Sequence, residues 1–179
     1  MKKETYAAMR RQLAGSPRTD ALVSGAARFL TAVVYAVYSG TGCFLIFKKS
    51  RKLCPYLLIP GTVFISGTLL RRLINAPRPY EQMDLEIRAC SGREGNRKKR
   101  AKVKAGESFP SRHSLSAAVI AVIFWWLTPP AGAAMGFIAV LIAVTRVLTG
   151  KHYIKDVLAG LAWGLGGGLA GLHLNRKKG

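Results

Sequence analysis

ESFPSRHSLSAAVIAVIFWWL, residues 107–127, opens on a polar turn and then runs apolar to its end. Ser108 or Ser111 can cap a helix here, Pro110 suits its first turn, and Leu115 onward supplies the hydrophobic body. His113 then falls in the first turn, beside backbone N–H groups that no helical carbonyl can reach. A polar collar on an apolar helix recurs twice more, in RRLINAPRP at 71–79 and TRVLTGKHYIKD at 145–156. The three clusters hold five arginines, two histidines and one aspartate, a set suited to handling phosphate.

The rest of the chain explains why such collars exist. Half of the 179 residues are hydrophobic, and they come in runs. A bilayer asks for about 20 mostly apolar residues per helical span, and five segments approach that length: 29–47, 53–70, 115–127, 132–148 and 157–174. The expectation is an all-α, multi-pass transmembrane helical bundle of about five spans, occupying residues 21–179 as one domain with a loop at 75–113. Residues 1–20 form a basic segment, read either as a short interfacial helix with Tyr6, Met9 and Leu13 on one side or as a tail. The apolar run near Ala21 is too long and too far in for a cleaved signal, so the segment is expected to stay.

A net charge of +20 raises the question of nucleic acid. The basic residues sit beside the spans with little aromatic surface among them, so anionic lipid headgroups are the expected partner and nucleic acid is not. The run of Lys and Arg at 97–104 reads as a solvated loop. Cys43, Cys54 and Cys90 have neither zinc-ligand spacing nor the pattern of a disulfide framework.

Alternation of five spans puts all three clusters at one face of the bilayer. Arg71 and Arg72 close the second span, and Asn75, Pro77 and Pro79 break the helix so that Arg78 turns back toward the same place. Guanidinium offers a planar fork of donors for phosphate oxygens, and Ser111, Arg112 and Arg146 add to it. His152 and Asp156, four apart, are expected on one face of the helix that opens span five. Asp156 would then hold one imidazole nitrogen and leave the other free as a nucleophile. Taken singly, an arginine is better explained as an interfacial anchor and His113 equally well as part of a capping sequence, whereas a merely structural pair explains His152 and Asp156 less well.

Taken together, they resemble the type 2 phosphatidic acid phosphatase family, membrane lipid phosphatases related in active site to vanadium haloperoxidases. The family's first motif, Lys, six residues, then Arg-Pro, corresponds to Arg71, Arg78 and Pro79. Pro-Ser-Gly-His corresponds to Pro110, Ser111, Arg112 and His113, and Ser-Arg, five residues, His, three residues, Asp corresponds to Thr145, Arg146, His152 and Asp156. Arg for Lys at 71, Arg for Gly at 112 and Thr for Ser at 145 are departures that remove no catalytic group. The family commonly has six spans against the five counted here.

The resemblance implies a hydrolase with a phosphohistidine intermediate on His152, with Asp156 orienting that ring and His113 as the proton donor. Arg71, Arg78, Ser111, Arg112 and Arg146 would bind phosphate, with no metal and no cofactor. The substrate would be a phosphorylated membrane lipid, a polyprenyl diphosphate, phosphatidylglycerol phosphate or phosphatidic acid, entering sideways from the bilayer. Although the catalytic side carries more Lys and Arg than the side bearing 48–52 and 176–178, several of these charges serve phosphate, and relatives work on the outer face. The site is therefore expected on the extracytoplasmic face of the cell membrane. A non-catalytic binder of anionic lipids and a vanadate-dependent haloperoxidase are the alternatives. Gly164 and Gly168 form a GxxxG pattern, expected to serve packing inside the bundle first and a homodimer second.

Overall fold

Residues 17–79 and 106–178 are described by the structure, a computed structural model. Among them are five helices: α1 Pro17–Phe47, α2 Leu53–Ile74, α3 Arg112–Leu127, α4 Pro129–Leu148 and α5 Ile154–Lys178. The segment 1–16, most of the 75–113 loop, the basic run at 97–104 and Cys90 lie outside the described residues.

Local chemistry sets the boundaries. Asn75 ends α2 in the left-handed conformation, φ 41° and ψ 44°, and its N–H returns to the Arg71 carbonyl. Thr128 alone separates α3 from α4, where a proline at the first positions gives up no helical N–H. Gly150, at φ 74°, reverses the chain after α4. α1 begins at Pro17, so residues 17–20 form its first turn, and the helix starts well before the span expected at 29.

Four segments, Ala21–Phe47, Leu53–Ile74, Pro129–Leu148 and Ile154–Lys177, are long and apolar enough to cross a membrane. The fifth, α3, has 16 residues, or about 24 Å at 1.5 Å per residue. It is also the centre of the molecule: every residue from Ser114 to Phe124 is buried, mainly against α4 and α5 and then α2. A helix apolar on all sides belongs either in a core or in a membrane, and α3 is enclosed by its neighbours. Facing outward are Phe29, Phe44, Phe47, Leu73, Phe137 and Leu169, a surface that would associate in water but that suits hydrocarbon chains.

Lipid is as apolar as leucine, so close packing rather than hydrophobic transfer must hold such helices together. α5 supplies it with glycine. A Cβ at Gly160 would lie 2.5 Å from the Ser111 carbonyl oxygen, and one at Gly164 would press as closely on that of Leu115. Gly168 meets Val122, while Gly167 and Gly171 meet Val63 and Ile59 of α2. The Gly164 and Gly168 pair therefore packs within the bundle, as its spacing predicts, and it brings α5 against the first turns of α3.

Candidate active site

Arg71 lies in the last turn of α2 and is 2% exposed, whereas Arg72, next along the helix, is exposed. Its Nη1 donates to the Pro110 carbonyl at 3.3 Å. The left-handed Asn75 turns the chain back, and Arg78 Nε donates to the Gly106 carbonyl at 2.9 Å. The Glu107 N–H donates to Asn75 Oδ1 at 3.2 Å and the Ser108 N–H to the Ala76 carbonyl at 2.8 Å. Thus the end of α2 and the approach to α3 are zipped together, although about 30 residues separate them in sequence.

α3 starts at Arg112 with Ser111 in the capping position, and Pro110 precedes the helix instead of sitting in its first turn. No side-chain capping bond forms, because the Ser111 hydroxyl accepts from Ser114 Oγ at 3.1 Å. The Ser111 N–H donates to the Asp156 carbonyl at 2.9 Å, joining the mouths of α3 and α5. The N–H groups of the first turn have no helical acceptors, an arrangement that favours an anion at this end of α3.

His152 does not ride on α5; it precedes the helix, in the turn made by Gly150. Its N–H and that of Lys151 donate to the Arg146 carbonyl, at 3.3 and 3.2 Å. Asp156 is fully buried in the first turn of α5, where Oδ2 accepts from the Tyr153 N–H at 2.9 Å, the reach-back half of a capping box. The same oxygen accepts from Ser108 Oγ at 2.5 Å. His152 Nδ1 stands 3.5 Å from Ser108 Oγ and 3.8 Å from Asp156 Oδ2. A direct imidazole to carboxylate hydrogen bond, expected from the spacing, is replaced by contact through Ser108, because His152 lies off the helix whose face Asp156 occupies.

Burial pushes the His152 imidazole below the ordinary histidine range; Asp156 opposes this, and the positive charges of Arg78 and Arg71 reinforce it. The ring is therefore neutral near pH 7, with a lone pair available. Lys151 is lowered as well, by burial first and then by Arg146, Arg28 and Arg78.

Arg146 is buried near the end of α4, and its Nη2 donates to Thr31 Oγ1 of α1 at 3.3 Å. One turn deeper, Tyr35 and Ser116 share a hydrogen bond at 3.0 Å. His113, half-buried, lies within electrostatic reach of Arg146, His152, Arg112 and Lys151. Arg78 reaches Arg71, Arg146 and His152 in the same sense, and Arg112 reaches Arg71. All eight residues singled out from the sequence thus gather at one end of the bundle. Three more join them: Glu107, whose Oε2 is 3.6 Å from Arg71 Nε, Ser108, and Thr31.

Among the described residues no three His, Cys, Asp or Glu side chains converge as a metal site would require. Arg71 Nε and Arg146 Nε, both buried, have no hydrogen-bond acceptor among them. Buried charged donors without a hydrogen-bond acceptor are costly, and although the Glu107 carboxylate stands 3.6 Å from Arg71 Nε, an anion in the site would supply the missing bonds.

The chain has relatives. Two proteins called lipid A 1-phosphatase, from Rhizobium johnstonii and Rhizobium etli, are each 36% identical over 106 residues, which is 58% of this chain. The chain spans about two fifths of their length, 41% and 43%. A PAP2-type phosphatidylglycerolphosphate phosphatase from Bacillus subtilis superimposes with a TM-score of 0.65 over 97% of this chain and 86% of its own, at 22% identity. Aquifex aeolicus LpxE does so at 0.62 over 92% of each chain, also at 22% identity. These two likenesses establish a shared fold. Residues 52–179, which hold all three polar clusters, match the PAP2 superfamily, and the chain belongs to it.

Proposed function

We propose that this protein is a membrane-embedded lipid phosphatase that removes a phosphate from a phosphomonoester or diphosphate headgroup without a metal ion. The observation that carries the reading is the pair of buried, unsatisfied guanidinium donors on Arg71 and Arg146 at the end of the bundle that also holds His152. Phosphoryl transfer is chiefly positioning and charge stabilisation. Here arginines and the α3 N-terminus serve the oxygens that a divalent cation holds in other enzymes.

In the first step Nε2 of His152 forms a bond to phosphorus as the bond to the leaving oxygen breaks, and His113 gives that oxygen its proton. In the second, His113 takes a proton from water as the water oxygen attacks the phosphohistidine, which releases inorganic phosphate and restores both rings. Arg71, Arg78 and Arg146 hold the equatorial oxygens, with Ser111 and Arg112 at the rim. Asp156 balances the charge that His152 gains.

A cavity of about 300 Å³ between α1 and α2, backed by α3, supports a lipid substrate. Tyr35, Phe64, Ser116 and Val119 are among its walls, and Ser116 accompanies the first turn of α3. A hydrocarbon chain can therefore lie at bilayer depth directly below the phosphate. Candidates are polyprenyl diphosphate, phosphatidylglycerol phosphate, phosphatidic acid and, from the names of the relatives, lipid A 1-phosphate. The site is read as extracytoplasmic although its side carries more Lys and Arg than the side bearing Lys48, Lys49, Arg51, Lys52 and Arg176, because several of its charges serve phosphate. A homodimer, if formed, must use a face other than the Gly164 and Gly168 stripe, which α3 covers.

The test is phosphate release from those four lipids by the purified protein in detergent with chelator, beside His152→Ala. Release by the parent protein and none by the variant is the expected result. Activity that requires added magnesium, or that survives in the variant, overturns the reading. Bromide oxidation with peroxide in the presence of vanadate would favour a haloperoxidase instead.

A further inference from the structure

From the contacts around Ser108 we infer that it is a positioning residue for the His152 nucleophile, fixing the ring's tautomer and passing the influence of Asp156 to it. The inference rests on the phosphatase reading above. Ser108 has one hydroxyl proton, and the 2.5 Å contact commits it to the Asp156 carboxylate. What faces His152 Nδ1 at 3.5 Å is then an oxygen lone pair. The ring edge turned to Ser108 must carry the proton, as Nδ1–H, and Nε2 is left unprotonated to attack.

Among the described residues nothing else in the site does this. Asp156 Oδ2 is 3.8 Å from Nδ1, too far for a hydrogen bond, and already receives the Tyr153 N–H. Of the charged groups around the ring, Arg71 and Arg78 are cations with donors only and cannot accept from an imidazole that becomes positive. Ser108 is also fixed in place. It is fully buried, and its N–H is tied to the Ala76 carbonyl beyond α2. One hydroxyl thereby touches the third polar cluster while its backbone is held by the first.

During transfer the bond from Nε2 to phosphorus forms as the bond to the leaving oxygen breaks, and the Nδ1 proton stays on the ring. As the ring gains charge, Nδ1–H becomes a stronger donor, and the 3.5 Å contact shortens toward an ordinary hydrogen bond. No proton need move along Ser108 to Asp156; the pair stabilises the imidazolium by orientation and charge.

Ser108→Ala removes the hydroxyl without adding bulk. Its kcat should fall about 10- to 100-fold, the range for losing a hydrogen bond to a charged group, with KM little changed because phosphate contacts remain. In an Asp156→Asn background the same change should cost little more, whereas a merely structural serine would add its full cost. Independently of turnover, ¹⁵N spectra of histidine-labelled protein should show His152 as the Nδ1–H tautomer, and as a mixture in Ser108→Ala. An undiminished kcat, an additive double variant or an unchanged tautomer overturns the inference. If the parent protein releases no phosphate from any lipid, the phosphatase reading fails, and the tautomer comparison still decides whether Ser108 orients the ring.

Discussion

The Glu107 carboxylate lies 3.6 Å from Nε of Arg71, so a guanidinium placed to receive phosphate already faces an anion of its own chain. Glu107 is partly exposed and sits at φ 52°, between Gly106 at φ 68° and Ser108. A substrate phosphate has to displace this carboxylate or share the arginine with it. Glu107→Gln should therefore lower KM, and the inhibition constant of inorganic phosphate, by about threefold to tenfold, since one competing charge is removed. Steady-state kinetics in micelles read both. Unchanged constants would mean that the carboxylate moves aside at no cost.

Arg71→Lys and Arg71→Ala should separate charge from geometry. Lysine, which the family motif carries at this position, keeps a cation for the phosphate but loses the fork that reaches the Pro110 carbonyl. We expect kcat/KM within about tenfold of the parent for lysine and a loss of about 100-fold or more for alanine, as for removal of a charge-stabilising donor. Equal losses in the two would show that geometry, not charge, is the requirement.

The glycines of α5 give a matched pair. Gly164→Ala places a methyl group where the Leu115 carbonyl oxygen already lies, whereas a methyl group at Gly166 would meet nothing within 4 Å. Forcing α5 from α3 should cost about 1–3 kcal/mol and lower the melting temperature in detergent, while Gly166→Ala should leave it unchanged or slightly raised. Activity should fall with Gly164→Ala, because the mouths of the two helices are joined by the Ser111 to Asp156 backbone bond.

The pH dependence follows from His152. Its pKa is lowered by burial first and then by Arg78 and Arg71, against Asp156. The nucleophile is the neutral form, which exists above the pKa, so the contribution of His152 is lost as pH falls through that depressed value. The acid limb of kcat/KM should lie below about 6.5, the ordinary histidine value, once ionisation of the substrate phosphate is measured separately by ³¹P NMR. Arg78→Ala removes a positive neighbour and should move the limb upward even as the rate drops. A limb that stays in place would show that Arg78 does not act on the ring.

Much of the site was legible because charge is expensive in apolar sequence. Arg71, Arg146 and Asp156 stand at the ends of hydrophobic runs, where only a function or a partner explains them. Helix existence was legible for the same reason. What the pattern could not show was depth and detour. The brevity of α3 was visible in its length, but not its complete enclosure, which depends on α5 approaching through Gly160 and Gly164. Four-residue spacing suggested His152 and Asp156 on one helix face, yet Gly150 delays the helix until Ile154. Ser108 looked like a cap because serine before an apolar run usually is one. Its role comes from contacts 44 and 48 residues away, which no local rule encodes. Thr31 meets Arg146 across 115 residues and is invisible for the same reason.

The shortness of α3 also fixes how far a lipid must sink. Its 16 residues reach about 24 Å, whereas the hydrocarbon layer is about 30 Å thick. Were Trp125 and Trp126 to sit at one water boundary, as interfacial aromatics do, the opposite end of α3 would stop several ångströms short of the other. The floor of the site would then be a dent beneath the headgroup plane, and on the proposed reaction a phosphate would reach His152 by leaving the aqueous layer. Part of the work of the proposed catalysis would then fall to the bilayer, which would yield a headgroup downward while the arginines replace the water that it gives up.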